Sequence, residues 1–237
     1  MTTGYEYDLS RRVAAETLGT AVLVTTVIGS GIMASRLSGD VGLQLLGNTI
    51  PTGAILVVMI TLIGPISGAH FNPVVSLVMW RLKAHTLAET SSYCVAQVAG
   101  GLIGAMLANL MFQLPAVEFS LKERTGSAQW LAEIVATFGL LFVVLSARHL
   151  SLKSVPALVG LYITAAYWFT ASTSFANPAV TIARTITNTF AGIAPASAPA
   201  FIVAQFIGAA AAMVFCGWLL QSNNQLKGEH GARGHLP

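Results

Sequence analysis

The sequence predicts an all-α membrane protein: six transmembrane helices plus two re-entrant half-helices, arranged as an inverted repeat. Three observations carry that prediction. The 237-residue chain is 54% apolar and only 9% charged, with a mean hydropathy of +0.71, whereas an average soluble domain is about 25% charged. Its apolar residues fall into six stretches, each close to the roughly 20 residues that a bilayer core requires. The two halves of the chain also carry matching landmarks in the same order.

The composition excludes several classes at once. Charge depletion of this size rules out an ordinary soluble domain, and the hydrophobicity rules out intrinsic disorder. The net charge of +3 rests on 12 basic residues with no dense basic stripe, so no nucleic-acid partner is expected. Cys94 and Cys216 sit inside apolar stretches, where they read as small core residues. Two cysteines make neither a disulfide framework nor a metal-type spacing. No cofactor and no metal are expected, and no catalytic set or phosphate loop points to an enzyme.

The spans run over 12–33, 42–64, 89–112, 128–148, 155–171 and 197–220. Arg11 and Arg12 ahead of the first span give it some likeness to a signal peptide, but the repeat needs this segment. Two further apolar stretches are too short to cross. One follows Asn72-Pro73 and ends at Arg81; the other follows Asn177-Pro178 and fades near Asn188. At about 1.5 Å per residue each reaches only about 15 Å, half the bilayer core. With both termini inside, eight basic residues (Arg11, Arg12, Arg81, Lys83, Arg148, Lys153, Lys227 and Arg233) are cytoplasmic and three (Arg36, Lys122 and Arg124) are outside, as the positive-inside rule requires. The expected topology is therefore a multi-pass membrane protein with both termini cytoplasmic. The chain divides into an N-terminal tail (1–9), a first three-span repeat (10–113), an external linker (114–127), a second repeat (128–221) and a C-terminal tail (222–237).

The repeat is explicit. Ala15-Glu16 with Thr20 opens the first span, and Ala132-Glu133 with Thr137 opens the fourth. Val95-Ala96-Gln97 with Gly100 in the third span matches Val203-Ala204-Gln205 with Gly208 in the sixth. Between these marks lie Asn72-Pro73-Val74 and Asn177-Pro178-Ala179. Each half has an odd number of spans, so the second enters the bilayer from the opposite side. The two short helices then approach the midplane from opposite faces.

Asn is a preferred N-cap and Pro a preferred first helical residue, so each Asn-Pro starts a helix in mid-bilayer. The Asn oxygen accepts a first-turn N–H, and its NH2 group is oriented and free to donate to a passing hydroxylated solute. The loops just before, 67–71 and 173–176, are short and mostly small. Non-helical backbone at that depth is tolerated where it lines a polar cavity or is buried in protein, and its carbonyls then form an acceptor ladder. Both half-helices aim positive dipole ends, about half a charge each, at the centre, which repels cations, including hydronium.

These residues resemble the aquaporin (major intrinsic protein) family. The likeness spans nearly all of residues 10–221 and rests on Ala15-Glu16 with Gly19-Thr20, on Ser67-Gly68-Ala69-His70-Phe71-Asn72-Pro73-Val74 and on Asn177-Pro178-Ala179. It implies the aquaporin fold, a pore in every subunit and a homotetramer in the lipid bilayer. Two departures stand out. The first signature has Val74 where the family usually has Ala. The family's Arg, three residues past the second signature Asn, is replaced by Val180. By the resemblance, the outer selectivity filter comprises Thr52, Tyr167, Ser174 and Val180, with Tyr162 as the alternative to Tyr167. Loss of the Arg resembles the AqpS-type bacterial aquaglyceroporins of arsenic-resistance operons. That likeness implies passage of water, glycerol-like polyols and neutral metalloid hydroxides such as arsenite, and of methylated arsenicals.

Other polar residues have two readings each. Glu16 and Glu133 either brace the re-entrant loops or relay protons in a coupled carrier, since intramembrane carboxylates are costly and usually functional. His70 reads as a loop brace, with gating by its protonation as the alternative. Gln97 and Gln205 read as interhelical hydrogen-bonders. Arg184 lies one turn outward of Val180. It is either a lone surface Arg near headgroups or a charge at the outer mouth that partly replaces the missing filter Arg. Three functions compete: a passive channel for water and small neutral solutes, a water-selective channel, and a proton-coupled secondary transporter using Glu16 and Glu133.

Overall fold

The computed structural model describes residues 6–221. The C-terminal tail, with Lys227, Arg233, His230 and His235, lies outside the described residues. Eight α-helices follow one another: α1 (Leu9–Leu37), α2 (Val41–Ser67), α3 (Pro73–Arg81), α4 (Leu87–Met111), α5 (Ser127–Leu150), α6 (Val155–Phe169), α7 (Pro178–Ala183) and α8 (Ala198–Leu219). All but α3 and α7 are long and apolar enough to cross a membrane, α6 with its preceding 3₁₀ turn and α8 with the turn before it.

Start signals in the sequence explain several ends. Asp8 and Asp40 cap α1 and α2, accepting from the backbone of Arg11 and Leu43. Thr86 and Glu89 form a reciprocal capping box at α4, which satisfies two otherwise orphaned donors. Gly68 closes α2 in the left-handed conformation, where the lack of a Cβ removes the steric cost.

The packing has the predicted symmetry. Helix α1 packs on α4 and α2, and α5 packs on α8 and α6. Helix α3 lies against α4 and α8, α7 against α8 and α4, and α2 against α6 joins the halves. Close approach of α1 and α4 is permitted by Gly100 and Gly104, where an added Cβ would strike the carbonyls of Thr17 and Ala21; Gly208 plays the same part against Ile134. The outward faces carry exposed Val95, Leu161, Val203, Val214 and Trp218. Cys216 is buried, but Cys94 is only half-buried, so the core reading holds for one of the two.

Helix α7 ends sooner than its apolar pattern suggests. After Ala183 the chain makes a 3₁₀ turn, Arg184–Ile186. The reason is competition for carbonyls: Arg184, Thr185 and Ile186 accept from Ile193, Ser120 and Glu118. The linker 114–127 and the segment after α7 thus lace together over this end.

Candidate functional site: the channel between the half-helices

The site is built from two equivalent loops. Residues 67–72 (Ser-Gly-Ala-His-Phe-Asn) correspond to residues 172–177 (Ser-Thr-Ser-Phe-Ala-Asn). In both, the residues three and one before the Asn have positive φ: Ala69 (50°) and Phe71 (51°), Ser174 (50°) and Ala176 (47°). Non-glycine residues are held there only by over-determining contacts, at about 1–3 kcal/mol each. Ala69 and Ser174 donate to the hydroxyls of Ser67 and Ser172, and Phe71 and Ala176 to two fully buried carboxylates. Glu16 accepts from the backbone N–H of His70 (2.9 Å) and Phe71 (2.7 Å), from the Ser67 hydroxyl and from Gln97 Nε2. Glu133 accepts from the N–H of Phe175 and Ala176 (both 2.9 Å) and from Gln205 Nε2 (2.7 Å). The Gln amides also donate to Ser76 and Thr181 on the half-helices. Glu16, Glu133, Gln97 and Gln205 therefore tie each loop to its own repeat.

The half-helices meet at their Asn residues. Asn72 Oδ1 accepts from Val74 N, and Asn177 Oδ1 accepts from Ala179 N and Val180 N. Their NH2 groups are not both free, and the sequence reading is corrected here. Asn72 Nδ2 donates to Ala176 O (2.8 Å), and Asn177 Nδ2 donates to Phe71 O (2.7 Å). Each amide spends one N–H latching the opposite loop, and one remains for the channel. Pro73, Val74, Pro178 and Ala179 are buried where the two short helices touch.

A narrow cavity of about 90 Å³ runs along this junction. Its wall includes His70 and Arg148, both Asn residues, and Thr52, Tyr167, Ser174, Val180 and Arg184. The Tyr167 hydroxyl is 3.4 Å from Thr52 Oγ1. Tyr162 is elsewhere: its hydroxyl donates to Ala136 O, and the ring fills the space left by Gly139. His70 Nδ1 bonds Ser76 Oγ at 3.0 Å, and its ring packs on His85 and Tyr93. Beside them Arg12 pairs with Glu89 at 2.5 Å.

Arg184 is not a lone surface residue. It is 2% exposed and lines the cavity. Its guanidinium carbon lies 3.4 Å from the Phe175 ring centroid, and its Nε donates to Ala191 O. Sequence reasoning missed Phe175 and Arg124. Arg124 leaves the linker, is buried, donates to Gly192 O and Ser172 O, and stands 5.0 Å from the same ring. Burial holds its guanidinium down to about 10. Phe175 was findable, because it is the repeat counterpart of His70. Arg124 had no such signal, since a polar linker reads as solvated.

A family model described as "Major intrinsic protein" matches residues 5–174. The chain belongs to the major intrinsic protein family. Within that family it is 56% identical over 216 residues to Aquaglyceroporin AqpS of Rhizobium meliloti (strain 1021), covering 91% of this chain and 93% of that protein. It is 37% identical over 95 residues to Aquaporin Z of Photorhabdus laumondii, 40% and 41% of the two chains. The X-ray structure of the aquaglyceroporin from Plasmodium falciparum superposes with a TM-score of 0.72 at 22% identity, over 90% of this chain and 97% of that one. That likeness establishes the aquaporin fold.

Proposed function

We propose that this major intrinsic protein is a passive transmembrane channel for water and small uncharged solutes. The solutes are glycerol-like polyols and metalloid hydroxides such as arsenite, with methylated arsenicals included. The observation that carries the reading is Val180 on the wall of the cavity that holds Thr52, Tyr167 and Ser174. An isopropyl group there adds neither charge nor donor, and leaves room for a solute wider than water. The 56% identity to a protein named an aquaglyceroporin supports the same class. The Asn72 and Asn177 amides and the loop carbonyls supply alternating donors and acceptors for hydroxyl groups. Helix dipoles of about half a charge at Asn72 and Asn177 oppose proton entry. We assign the protein to a bacterial inner membrane, with both termini cytoplasmic, as a homotetramer.

A water-selective channel is the second reading, favoured by one contact: Tyr167 reaching Thr52 at 3.4 Å narrows the passage. Against a proton-coupled carrier stand the bonds of Glu16 and Glu133, which spend their lone pairs on fixed donors. Stopped-flow light scattering on proteoliposomes, with arsenite uptake in parallel, tests the assignment on wild type and Val180→Arg. The expected outcome is that wild type passes glycerol and arsenite, and that the variant loses both while keeping water. Passage of water alone by wild type overturns the polyol and metalloid assignment.

A further inference from the structure

The inverted repeat is symmetric in shape but not in charge. Val75 and Val180 are repeat partners on the cavity wall, and so are Met79 and Arg184. Where one half presents a thioether, the other presents a guanidinium. The ion pairs among the described residues are Arg11–Asp8 and Arg12–Glu89, so neither Arg184 nor Arg124 has a carboxylate partner there. Glu133, the carboxylate of this half, is occupied by Phe175, Ala176 and Gln205. A buried charge without a counterion is costly, and the Phe175 ring and one carbonyl offset only part of that cost. Arg184 donates to Ala191 through Nε alone. Its Nη1 and Nη2 hydrogen-bond to no described residue. Ser174 Oγ, buried on the same cavity, likewise has no partner.

We propose that Arg184, held against Phe175 and backed by Arg124, binds a small monovalent oxyanion in the channel, with Ser174 as a further donor. A guanidinium matches two oxygens of one anion with parallel N–H···O bonds, and a cavity of about 90 Å³ admits only a small one. Under the channel reading above, the bound anion obstructs neutral solutes. The binding itself does not depend on that reading.

Formate, the smallest carboxylate, is the probe, with chloride at equal ionic strength as the control. Thermal unfolding of the full chain in detergent reads binding directly, because a ligand selective for the native state raises Tm in a saturable way. Wild type is expected to gain Tm with formate beyond chloride, and Arg184→Gln is not. Arg184→Lys keeps the charge and loses the fork; it is expected to bind about tenfold more weakly. It decides the matter if Arg184→Gln fails to fold. Equal shifts with formate and chloride in wild type, or an undiminished formate shift in either variant, overturn the proposal. In proteoliposomes, formate is expected to slow glycerol flux through wild type in parallel with the Tm response. A formate-dependent Tm shift in a protein that passes no solute would refute the channel reading and leave the site standing.

Discussion

Glu16 accepts four hydrogen bonds in a fully buried position, and two come from the backbone of His70 and of Phe71, the latter held at positive φ. Replacing one carboxylate oxygen by an NH2 group sets donor against donor. Glu16→Gln, and likewise Glu133→Gln, is therefore expected to destabilise the protein by about 1–3 kcal/mol, the cost of a buried unsatisfied donor, read by thermal unfolding in detergent. A variant of unchanged stability whose solute flux acquires or loses proton coupling would restore the relay reading. On the linker, desolvation of the ammonium of the otherwise exposed Lys122 and the charges of Arg124 and Arg184 hold it down to about 8. The unfolded chain binds that proton up to the ordinary value of 10.5, so the penalty is full below pH 8 and is relieved as pH rises from 8 to 10.5. The Tm advantage of Lys122→Met over wild type is expected to shrink across that window; a difference independent of pH would contradict the sign. Loop bracing was one of the two readings the sequence offered for both carboxylates, from their symmetric placement and the family resemblance. The Asn72–Ala176 and Asn177–Phe71 latches were not legible there, because they join residues more than a hundred positions apart.

Helices are where the sequence was most informative. The span 12–33 became Leu9–Leu37, and 155–171 became Val155–Phe169, since apolar length and capping act locally. Helix α7 departed from its pattern because linker and post-helix amides capture the carbonyls of Arg184, Thr185 and Ile186 just beyond it, a tertiary effect with no local trace. At Gly100 and Gly104, α4 lies directly against Thr17 and Ala21 of α1. Gly104→Val drives a branched side chain against the Ala21 carbonyl. It is expected to cost about 1–3 kcal/mol through overpacking, as is Gly208→Val against Ile134. Detergent melting curves check both; a neutral Gly104→Val would mean that α1 and α4 are further apart than described.

At the scale of the molecule, two three-helix halves with opposed half-helices enclose a narrow cavity along their junction. The repeat made that architecture readable, because each half predicted the other. What it concealed was the electrostatic difference between the halves, which sits in Arg184 against Met79 and in Arg124 from the linker. Under the proposed reading, positive helix ends at the centre, with Arg184 on the cavity wall, oppose proton passage. Sealed proteoliposomes under a pH gradient are expected to show no proton conductance above protein-free vesicles, and a measurable conductance would overturn that expectation. The most direct test of the channel assignment is glycerol flux through wild-type proteoliposomes, measured against concentration and temperature with and without a proton gradient. A channel predicts flux linear in the glycerol gradient, weakly dependent on temperature and indifferent to the proton gradient. Flux that saturates, rises steeply with temperature or follows the proton gradient would contradict it.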